Sequence, residues 1–338
     1  MRLKKFINKP EDFVDEMIEG ILMAYPNFYK KAKDSLREIV RSNSPEQTKV
    51  AIATGGGSGH LPVFLGYVGE GLCDGVAVGD VFASPSAREM YNVTKAIDGG
   101  KGVLYLYGNY GGDVMNFDMA AEMAETDNIE VETVLVRDDV ASSKNIEKRR
   151  GVAGLFYAYK IAGAAANNGK DLQEVKSFTE EALDNTRSMG VALSPCTIPE
   201  AGEPTFKIAD DEMEIGMGIH GEPGIERTTL KQADKVSNIV IEKILADGPY
   251  EKGDEVSILV NSLGATPLEE LYIIYNKVKD ILKGKEIEVY NNYIGNYATS
   301  LEMSGMSISL MKLNPQLKTL LDAPAHSPFF NQQDLRDN

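Results

Sequence analysis

Cysteine, positive charge and long apolar runs are all scarce in this chain of 338 residues. Cys73 and Cys196 lie far apart with no C-x-x-C spacing, which argues against a disulfide scaffold and a structural zinc site. The formal net charge is −16, so the basic excess that nucleic acids and anionic membranes attract is missing. No apolar run approaches a membrane span, and the N-terminus has no signal-peptide core. We therefore expect a cytoplasmic protein without nucleic-acid or membrane partners.

The length and composition fit a two-domain enzyme. A chain of 338 residues is too long for one ordinary hydrophobic core. Its hydrophobic content of 43% and charged content of 25% are typical of a soluble globular enzyme and argue against disorder. We therefore expect two domains, at residues 1–187 and 188–338, because the pattern of predicted elements changes near residue 188.

The first 187 residues alternate between predicted strands and helices. Short apolar runs predict strands at residues 50–53, 75–78, 102–107 and 131–136. Helical patterns cover residues 10–25, 87–97, 114–126, 151–167 and 172–186. This alternation predicts a doubly wound α/β domain, in which helices cover both faces of a parallel sheet. Ligands in such domains bind beyond the carboxyl ends of the strands.

The second half of the chain follows a different pattern. Strands are predicted at residues 189–193, 214–220, 256–260, 286–290 and 306–311. Helices are predicted at residues 233–246 and 268–282, and turns rich in glycine and proline lie between these elements. The pattern predicts a second, smaller α+β domain. We expect its apolar tail, residues 320–328, to pack back onto the first domain.

A glycine-rich stretch at residues 54–60, Thr-Gly-Gly-Gly-Ser-Gly-His, follows the strand at 50–53 and is predicted to form a loop. It does not fit the P-loop pattern, because no lysine follows the last glycine, and its spacing does not fit the dinucleotide fingerprint. Three interpretations stay open at this point. The loop cradles another small ligand, forms a structural tight turn or, against these two mismatches, binds a nucleotide.

Three further residues carry candidate chemistry. His220 lies among glycines at residues 216–224 and is either a half-buried histidine bonded to a carbonyl or a nucleophile or general base. Asp113 follows two glycines and is either a helix N-cap or part of a pocket shared with His60. His326 is expected to have a structural or surface role. The wide spacing of the histidines gives a metal site no support, so we expect no metal.

Seven motifs together resemble the substrate-binding K subunit of dihydroxyacetone kinases. They lie in order at residues 54–60, 79–86, 109–115, 216–224, 261–267, 298–303 and 321–324. The string Gly-Met-Gly-Ile-His-Gly-Glu-Pro-Gly at residues 216–224 is a long match of this kind. The resemblance covers nearly the whole chain. It implies a homodimer whose subunit has a doubly wound N-terminal domain and a smaller C-terminal one.

The resemblance also implies roles for the candidate residues. His220 would form a hemiaminal bond to the ketone carbon of dihydroxyacetone or a related small ketose. His60 would hydrogen-bond the substrate and act as an acid/base residue. Asp113 would take the proton from the hydroxyl group that is phosphorylated. A reversible bond to the carbonyl makes physical sense, because a three-carbon ligand offers few contacts and glycerol has no carbonyl to react.

The residues that would line the substrate are Gly57, Ser58 and Gly59, together with His60. Gly108 is a departure from the family, since many members have lysine at this position. If that lysine contacts substrate, Gly108 removes a cation and opens space. The pocket would then accept a longer ketose, such as four-carbon erythrulose.

The resemblance implies that the phosphoryl group comes from another protein. Family K subunits have no nucleotide site, so ADP or ATP and magnesium are expected on a separate L subunit and no cofactor on this chain. A phosphotransferase-system M subunit recharges the L subunit in many bacterial systems and would act here indirectly. Other relatives are dihydroxyacetone-sensing co-activators of a transcription factor. His60 and Asp113 together favour a kinase, because a sensor needs only the binding histidine.

Overall fold

A computed structural model describes residues 4–336. The chain folds into two six-stranded sheets. The strands of the first sheet are β1 (Tyr29–Lys31), β2 (Glu38–Arg41), β3 (Ala51–Ser58), β4 (Gly75–Val81), β5 (Val103–Gly108) and β6 (Val131–Val136). Those of the second are β7 (Thr186–Ser194), β8 (Glu212–Ile215), β9 (Glu226–Thr229), β10 (Glu255–Ser262), β11 (Glu288–Gly295) and β12 (Ser304–Leu313). A short hairpin of β13 (Ala325–His326) and β14 (Asn331–Gln332) lies near the C-terminus.

Eight α-helices pack on these sheets. They are α1 (Phe13–Ala24), α2 (Ala87–Ile97), α3 (Gly111–Thr126), α4 (Leu155–Asn167), α5 (Leu172–Asp184), α6 (Ala233–Asp247), α7 (Leu268–Gly284) and α8 (Pro315–Asp322) in the described part of the chain. Most of their bounds agree with the periodic segments of the sequence. The helix α2 matches its prediction at both ends, because Ser86 forms a capping box with Glu89 at its start.

The first sheet has the strand order β1-β2-β4-β3-β5-β6, and its last four strands in that order are parallel. Alternate residues of each strand face opposite helical layers. Tyr105 and Tyr107 pack with α2 and α3, whereas Leu104 and Leu106 pack with α4. This confirms the doubly wound α/β fold.

The second sheet has the order β11-β10-β12-β7-β8-β9 and is mixed, with only β10 and β11 parallel among these six strands. One face packs on α6 and α7. From its other face Leu259 and Met311 join the core that surrounds α4. The helix α4 is therefore buried between the two sheets, which explains its run of alanines. The predicted tail also packs on the first half of the chain, since Lys160 of α4 donates to the carbonyl of Ala323.

The glycine-rich stretch is not the loop that the sequence predicts. It continues β3 to Ser58, paired with β4 on one side. Its glycines are required for close packing, because a Cβ on Gly56 would lie 2.3 Å from the ring of Phe64. The chain leaves the sheet only at Gly59, whose φ of +102° is a conformation that glycine adopts without strain.

Other predictions need correction as well. The strand predicted at residues 214–220 ends at Ile215, because Gly216 has a φ of +83° and turns the chain out of the sheet. The strands β1, β2, β9, β13 and β14 and the helix α8 were not predicted. The strands are short, and pairing stabilises them more than local propensity does. The helix α8 has a local start signal that the prediction missed, since Asn314 caps it and Pro315 follows.

A glycine in the middle layer gives a test of this packing. A Cβ on Gly163 of α4 would lie 2.2 Å from the carbonyl oxygen of Gly71. We expect Gly163→Ala to lower stability by about 1–3 kcal/mol through overpacking. Gly20 of α1 is the matched control, since a Cβ there meets nothing within 4 Å. Gly20→Ala should raise stability by roughly 0.5–1 kcal/mol. Thermal unfolding of both variants measures the difference, and equal midpoints would contradict the packing.

Candidate active site

The site lies where three parallel strands end. His60 follows β3, the segment 82–86 follows β4, and residues 109–113 follow β5. Because the carboxyl ends of neighbouring parallel strands meet at one edge, these segments converge. The second half of the chain supplies the opposite wall, from residues 216–222 and 298–301. There the backbone N–H of Leu301 donates to the Gly59 carbonyl at 2.7 Å.

His60 is held in one orientation. It is 1% exposed, and its Nδ1 lies 2.7 Å from the carbonyl oxygen of Thr299. A carbonyl oxygen only accepts, so Nδ1 carries the hydrogen and Nε2 keeps a free lone pair. Nε2 has no hydrogen-bond partner among residues 4–336. Burial and the charge of His220 lower the pKa of His60 to about 3, so the ring is neutral at physiological pH.

His220 lies beside His60, with the ring centroids 4.8 Å apart and the ring planes at 72°. It sits in a turn in which the Gly221 N–H donates to the Gly218 carbonyl. Its Nδ1 is 3.0 Å from a carboxylate oxygen of Glu222, and its backbone N–H donates to the other oxygen. With Nδ1–H directed to the carboxylate, Nε2 of a neutral His220 carries a lone pair.

Aromatic rings enclose the two histidines. Phe82 stacks on His60 with centroids 4.8 Å apart and planes at 18°. It has a φ of +59°, an uncommon conformation for a bulky residue, so its ring is held there by its surroundings. Tyr110 meets His220 edge-on at 4.8 Å and donates its hydroxyl to the Gly151 carbonyl at 3.0 Å. The rings limit the space around the histidines, of which His60 is buried and His220 is half-buried.

Asp113 is the third residue of α3 and not its N-cap, which is Tyr110. The residue is 7% exposed, and its Oδ1 has no hydrogen-bond partner in the described part of the chain. Burial raises the pKa of Asp113 to about 6, although a hydrogen bond from Ser84 and the charge of His220 both lower it. Asp113 is thus a buried carboxyl in the first turn of α3, with its pKa shifted toward the range useful for a general base.

The glycine-rich end of β3 shapes the floor of the site. A Cβ on Gly57 would lie 2.6 Å from the backbone nitrogen of Ala83, so only glycine allows this approach. The hydroxyl of Ser58 donates to the Gly79 carbonyl at 2.8 Å and ties β3 to β4. These contacts fix the backbone on which Gly59 and His60 stand.

Gly108 packs against the ring of Tyr110. A Cβ at this position would lie 3.0 Å from the ring of Tyr110 and 3.4 Å from the Gly151 carbonyl oxygen. The ring of Tyr110 therefore lies close to the position that a Cβ would take. Acceptance of a longer ketose stays a prediction.

Several residues of the site had no role assigned from the sequence. They are Phe82, Ser84, Tyr110, Arg150, Glu222 and Thr299. The spacing His-x-Glu at 220–222 was a local signal for Glu222. Arg150 and Thr299 come from distant parts of the chain, and no local pattern connects them to a histidine.

His326 lies apart from this site in the chain's tail. Its ring packs on Phe28 with centroids 5.2 Å apart, and its backbone pairs with that of Glu70. Within residues 4–336 no group of three or more His, Cys, Asp and Glu side chains could hold a metal ion. No helix in the same range is both long and apolar enough to cross a membrane.

Comparison with known proteins identifies relatives that align with nearly the full length of this chain. The Dak1 domain matches residues 19–329. The dihydroxyacetone-binding subunit DhaK of PTS-dependent dihydroxyacetone kinase 2 from Listeria innocua serovar 6a is 48% identical, over 97% of this chain and 99% of that one. The L-erythrulose 1-kinase of Mycolicibacterium smegmatis is 38% identical, over 96% of this chain and 58% of that longer protein.

Solved structures agree with the sequence relatives. The dihydroxyacetone kinase of C. freundii superimposes with a TM-score of 0.90 at 31% identity, over 97% of this chain and 60% of that one. The dihydroxyacetone kinase operon co-activator Dha-DhaQ gives a TM-score of 0.89 at 28% identity, over 96% and 100% of the two chains. The matched domain and the full-length relatives show that the chain belongs to the Dak1 family, that of the DhaK subunits of dihydroxyacetone kinases.

Proposed function

We propose that this chain is the ketose-binding subunit of a multi-subunit dihydroxyacetone kinase. The observation that carries the proposal is the pair of histidines, His60 and His220, whose Nδ1 atoms are both engaged. Each neutral ring then directs a lone pair on Nε2 away from its anchor. One lone pair can attack a carbonyl carbon, and the other can accept a hydrogen bond from a hydroxyl group.

The proposed capture of the ketose is a balanced addition. Nε2 of His220 attacks the ketone carbon, a C–N bond forms, and the π bond of the carbonyl breaks. The former carbonyl oxygen takes up a proton, while Nδ1 of His220 releases one, so no net proton is gained or lost. His60 accepts a hydrogen bond from a substrate hydroxyl through Nε2. Glycerol has no carbonyl carbon and is excluded by the chemistry rather than by its shape.

Asp113 is the proposed base for the phosphoryl acceptor. Holding the ketone on His220 presents a terminal hydroxyl group for in-line transfer, which depends mainly on positioning. The carboxyl of Asp113 accepts the hydroxyl proton as the oxygen attacks phosphorus. The phosphoryl group comes from a nucleotide-carrying L subunit. The Listeria innocua relative, named as the dihydroxyacetone-binding subunit of a PTS-dependent kinase, supports an enzyme of more than one subunit. A phosphotransferase-system protein recharging that subunit, a homodimer and a cytoplasmic location belong to the same proposal.

Reconstitution tests the proposed kinase. The chain is combined with an L subunit of the family, and ketose phosphate is measured with either ATP or a phosphotransferase system as donor. Formation of dihydroxyacetone phosphate that requires both proteins would support the proposal. Tight ketose binding without any turnover would instead favour a sensor, the role named for the structurally similar co-activator.

The substrate's length is a separate question, raised by the relative named as an erythrulose kinase. Because Tyr110 fills the room beside Gly108, we expect dihydroxyacetone to be preferred to four-carbon ketoses. One added carbon in a closed pocket changes kcat/KM by roughly 10–200-fold. Parallel kinetics on dihydroxyacetone and both erythrulose enantiomers measure the ratio. Faster turnover of an erythrulose would show that the Tyr110 ring moves aside and would overturn this expectation.

A further inference from the structure

We propose that Glu222 is a positioning residue for His220. It fixes the reactive tautomer of the imidazole, and it offsets the positive charge that develops on the ring when Nε2 of His220 bonds to a ketone. The inference rests on the proposed function, because it concerns the same histidine. Glu222 does not touch the space beside Nε2. It acts through the opposite side of the imidazole ring.

Glu222 holds His220 at two points. One carboxylate oxygen faces Nδ1 at 3.0 Å, and the other accepts the His220 backbone N–H at 3.0 Å. The side chain and the backbone of one histidine are thereby tied to one carboxylate. A carboxylate only accepts, so it selects the tautomer with hydrogen on Nδ1 and leaves Nε2 free to attack.

A cation from the first half of the chain keeps Glu222 in place. Arg150 Nη1 lies 3.7 Å from Glu222, and its Nη2 lies 2.8 Å from Asp139. Burial by itself would raise the pKa of Glu222, but the hydrogen bond and charge of His220 and the charge of Arg150 lower it to about 2. The carboxylate is therefore ionised throughout the physiological range. Asp139 in turn orients Arg150.

The backbone around His220 is built for this contact. A Cβ on Gly218 would lie 2.2 Å from a Glu222 carboxylate oxygen and 2.5 Å from Arg150 Nη1. Because Gly218 has no side chain, the carboxylate of Glu222 and the guanidinium of Arg150 can approach each other beside the turn that carries His220. The glycines of residues 216–221 thus have a second use besides exposing His220.

The charge of Glu222 matters most during bond formation. A bond from Nε2 to carbon makes the imidazole ring positive until Nδ1 loses its proton. The carboxylate 3.0 Å from Nδ1 stabilises that positive ring and shares the departing proton. A neutral amide at the same place would do neither. It would also be able to donate to Nδ1 and favour the unreactive tautomer.

Glu222→Gln tests the proposal, and Glu214→Gln is its matched control. Glu214 accepts the N–H of Gly224 at 3.0 Å, pairs with Arg227 at 2.7 Å, and so anchors the same loop without touching His220. Glu222→Asp keeps the charge and is the conservative rescue. All are made in the full chain, and unfolding midpoints near that of wild type establish that each folds.

Two measurements follow on each variant. Nitrogen-15 spectra of the histidine rings, without ketose, report which nitrogen of His220 carries hydrogen. Spectra with dihydroxyacetone labelled with carbon-13 at the ketone report the fraction converted to tetrahedral carbon. In Glu222→Gln we expect hydrogen to shift toward Nε2 and the apparent affinity for the ketose to fall at least about tenfold. Glu214→Gln should match wild type, and Glu222→Asp should restore part of the loss.

The outcomes separate this inference from the proposed function. Unchanged tautomer and unchanged adduct in Glu222→Gln would overturn the positioning role. Equal losses in Glu222→Gln and Glu214→Gln would assign Glu222 to loop anchoring alone and would also overturn it. If wild type forms no tetrahedral carbon, the covalent step of the proposed function fails. The ring-nitrogen spectra still decide whether Glu222 sets the tautomer.

Discussion

His220→Ala is expected to abolish the covalent attachment of dihydroxyacetone. In wild type, the labelled ketone carbon should become tetrahedral on binding, and native mass spectrometry should show one added ketose per chain. The variant should show neither. Its apparent affinity should weaken at least about 100-fold, or about 2.8 kcal/mol at 1.4 kcal/mol per tenfold change. The reason is that a ligand of so few atoms has little other binding energy to draw on.

The chain offers a control for this experiment. His326 is a histidine packed on Phe28 in the C-terminal tail, outside the site. His326→Ala should leave the adduct unchanged, since its ring does not contact the site. An adduct that persists in His220→Ala would assign the nucleophile elsewhere, with His60 as the first residue to examine. An adduct lost in both variants would point to damage of the fold.

Asp113→Asn is expected to lower turnover and to leave ketose binding intact. Removing a general base typically lowers turnover by about 10²–10⁴-fold. The adduct on His220 should persist, because the substitution removes a carboxyl that is not needed for attack on the ketone. Turnover by the reconstituted kinase, measured beside carbon-13 spectra of the adduct, tests both halves. Full turnover in the variant would remove Asp113 from the mechanism, whereas loss of the adduct would make it a binding residue.

The same substitution should stabilise the protein at pH 7. Burial raises the pKa of Asp113 to about 6 in the folded state, above the ordinary 3.8. Ionising Asp113 therefore costs more free energy in the folded state than in the unfolded state. The protein is most stable below about pH 4, where the group is protonated in both states, and it loses this stability as the pH rises through about 6. Asparagine does not ionise, so Asp113→Asn should raise the free energy of unfolding by on the order of 1–3 kcal/mol at pH 7. This range follows from about 1.4 kcal/mol for a tenfold change in the ionisation constant. The gain should disappear near pH 4, which unfolding at the two pH values measures.

Turnover of the wild-type kinase should show the same ionisation. The carboxylate form of Asp113 is the base, so activity should fall as pH drops through about 6. His60 stays neutral across that range, because its pKa is lowered to about 3. A pH profile that stays flat down to pH 5 would contradict this role for the carboxyl.

Much of the fold follows from local patterns. The run at 103–107 is a strand because its side chains are buried on both faces of a parallel sheet. The run at 131–136 forms the edge strand, with Val134 and Val136 buried. The helices α2, α6 and α7 begin at the residues that their periodicity predicts, which are Ala87, Ala233 and Leu268. The short strands β1, β2 and β9 lacked such signals. Their pairing partners, and not their own residues, make them strands.

The candidate residues themselves were also visible in the sequence. His60, Asp113 and His220 stand next to glycines, where small neighbours leave a side chain exposed to a ligand. Their orientation was not visible. Whether Asp113 caps α3 or faces the pocket depended on the helix starting at Gly111, two residues before it. Whether Gly108 leaves a space depended on Tyr110, whose ring lies over it.

The sequence by itself determined the doubly wound first half, the family motifs and the three chemical groups of the site. These are properties of composition, spacing and local propensity, which adjacent residues set. Only the tertiary structure decided that the glycine stretch is a strand, that Thr299 fixes the tautomer of His60, and that Glu222 and Arg150 support His220. The pairing of β3 with β4 and the contacts of Thr299 and Arg150 join segments that are tens to hundreds of residues apart. Glu222 is only two residues from His220, but the direction of its carboxylate is set by the fold. Such contacts form because burial of the shared core brings those segments together, and no local pattern records that.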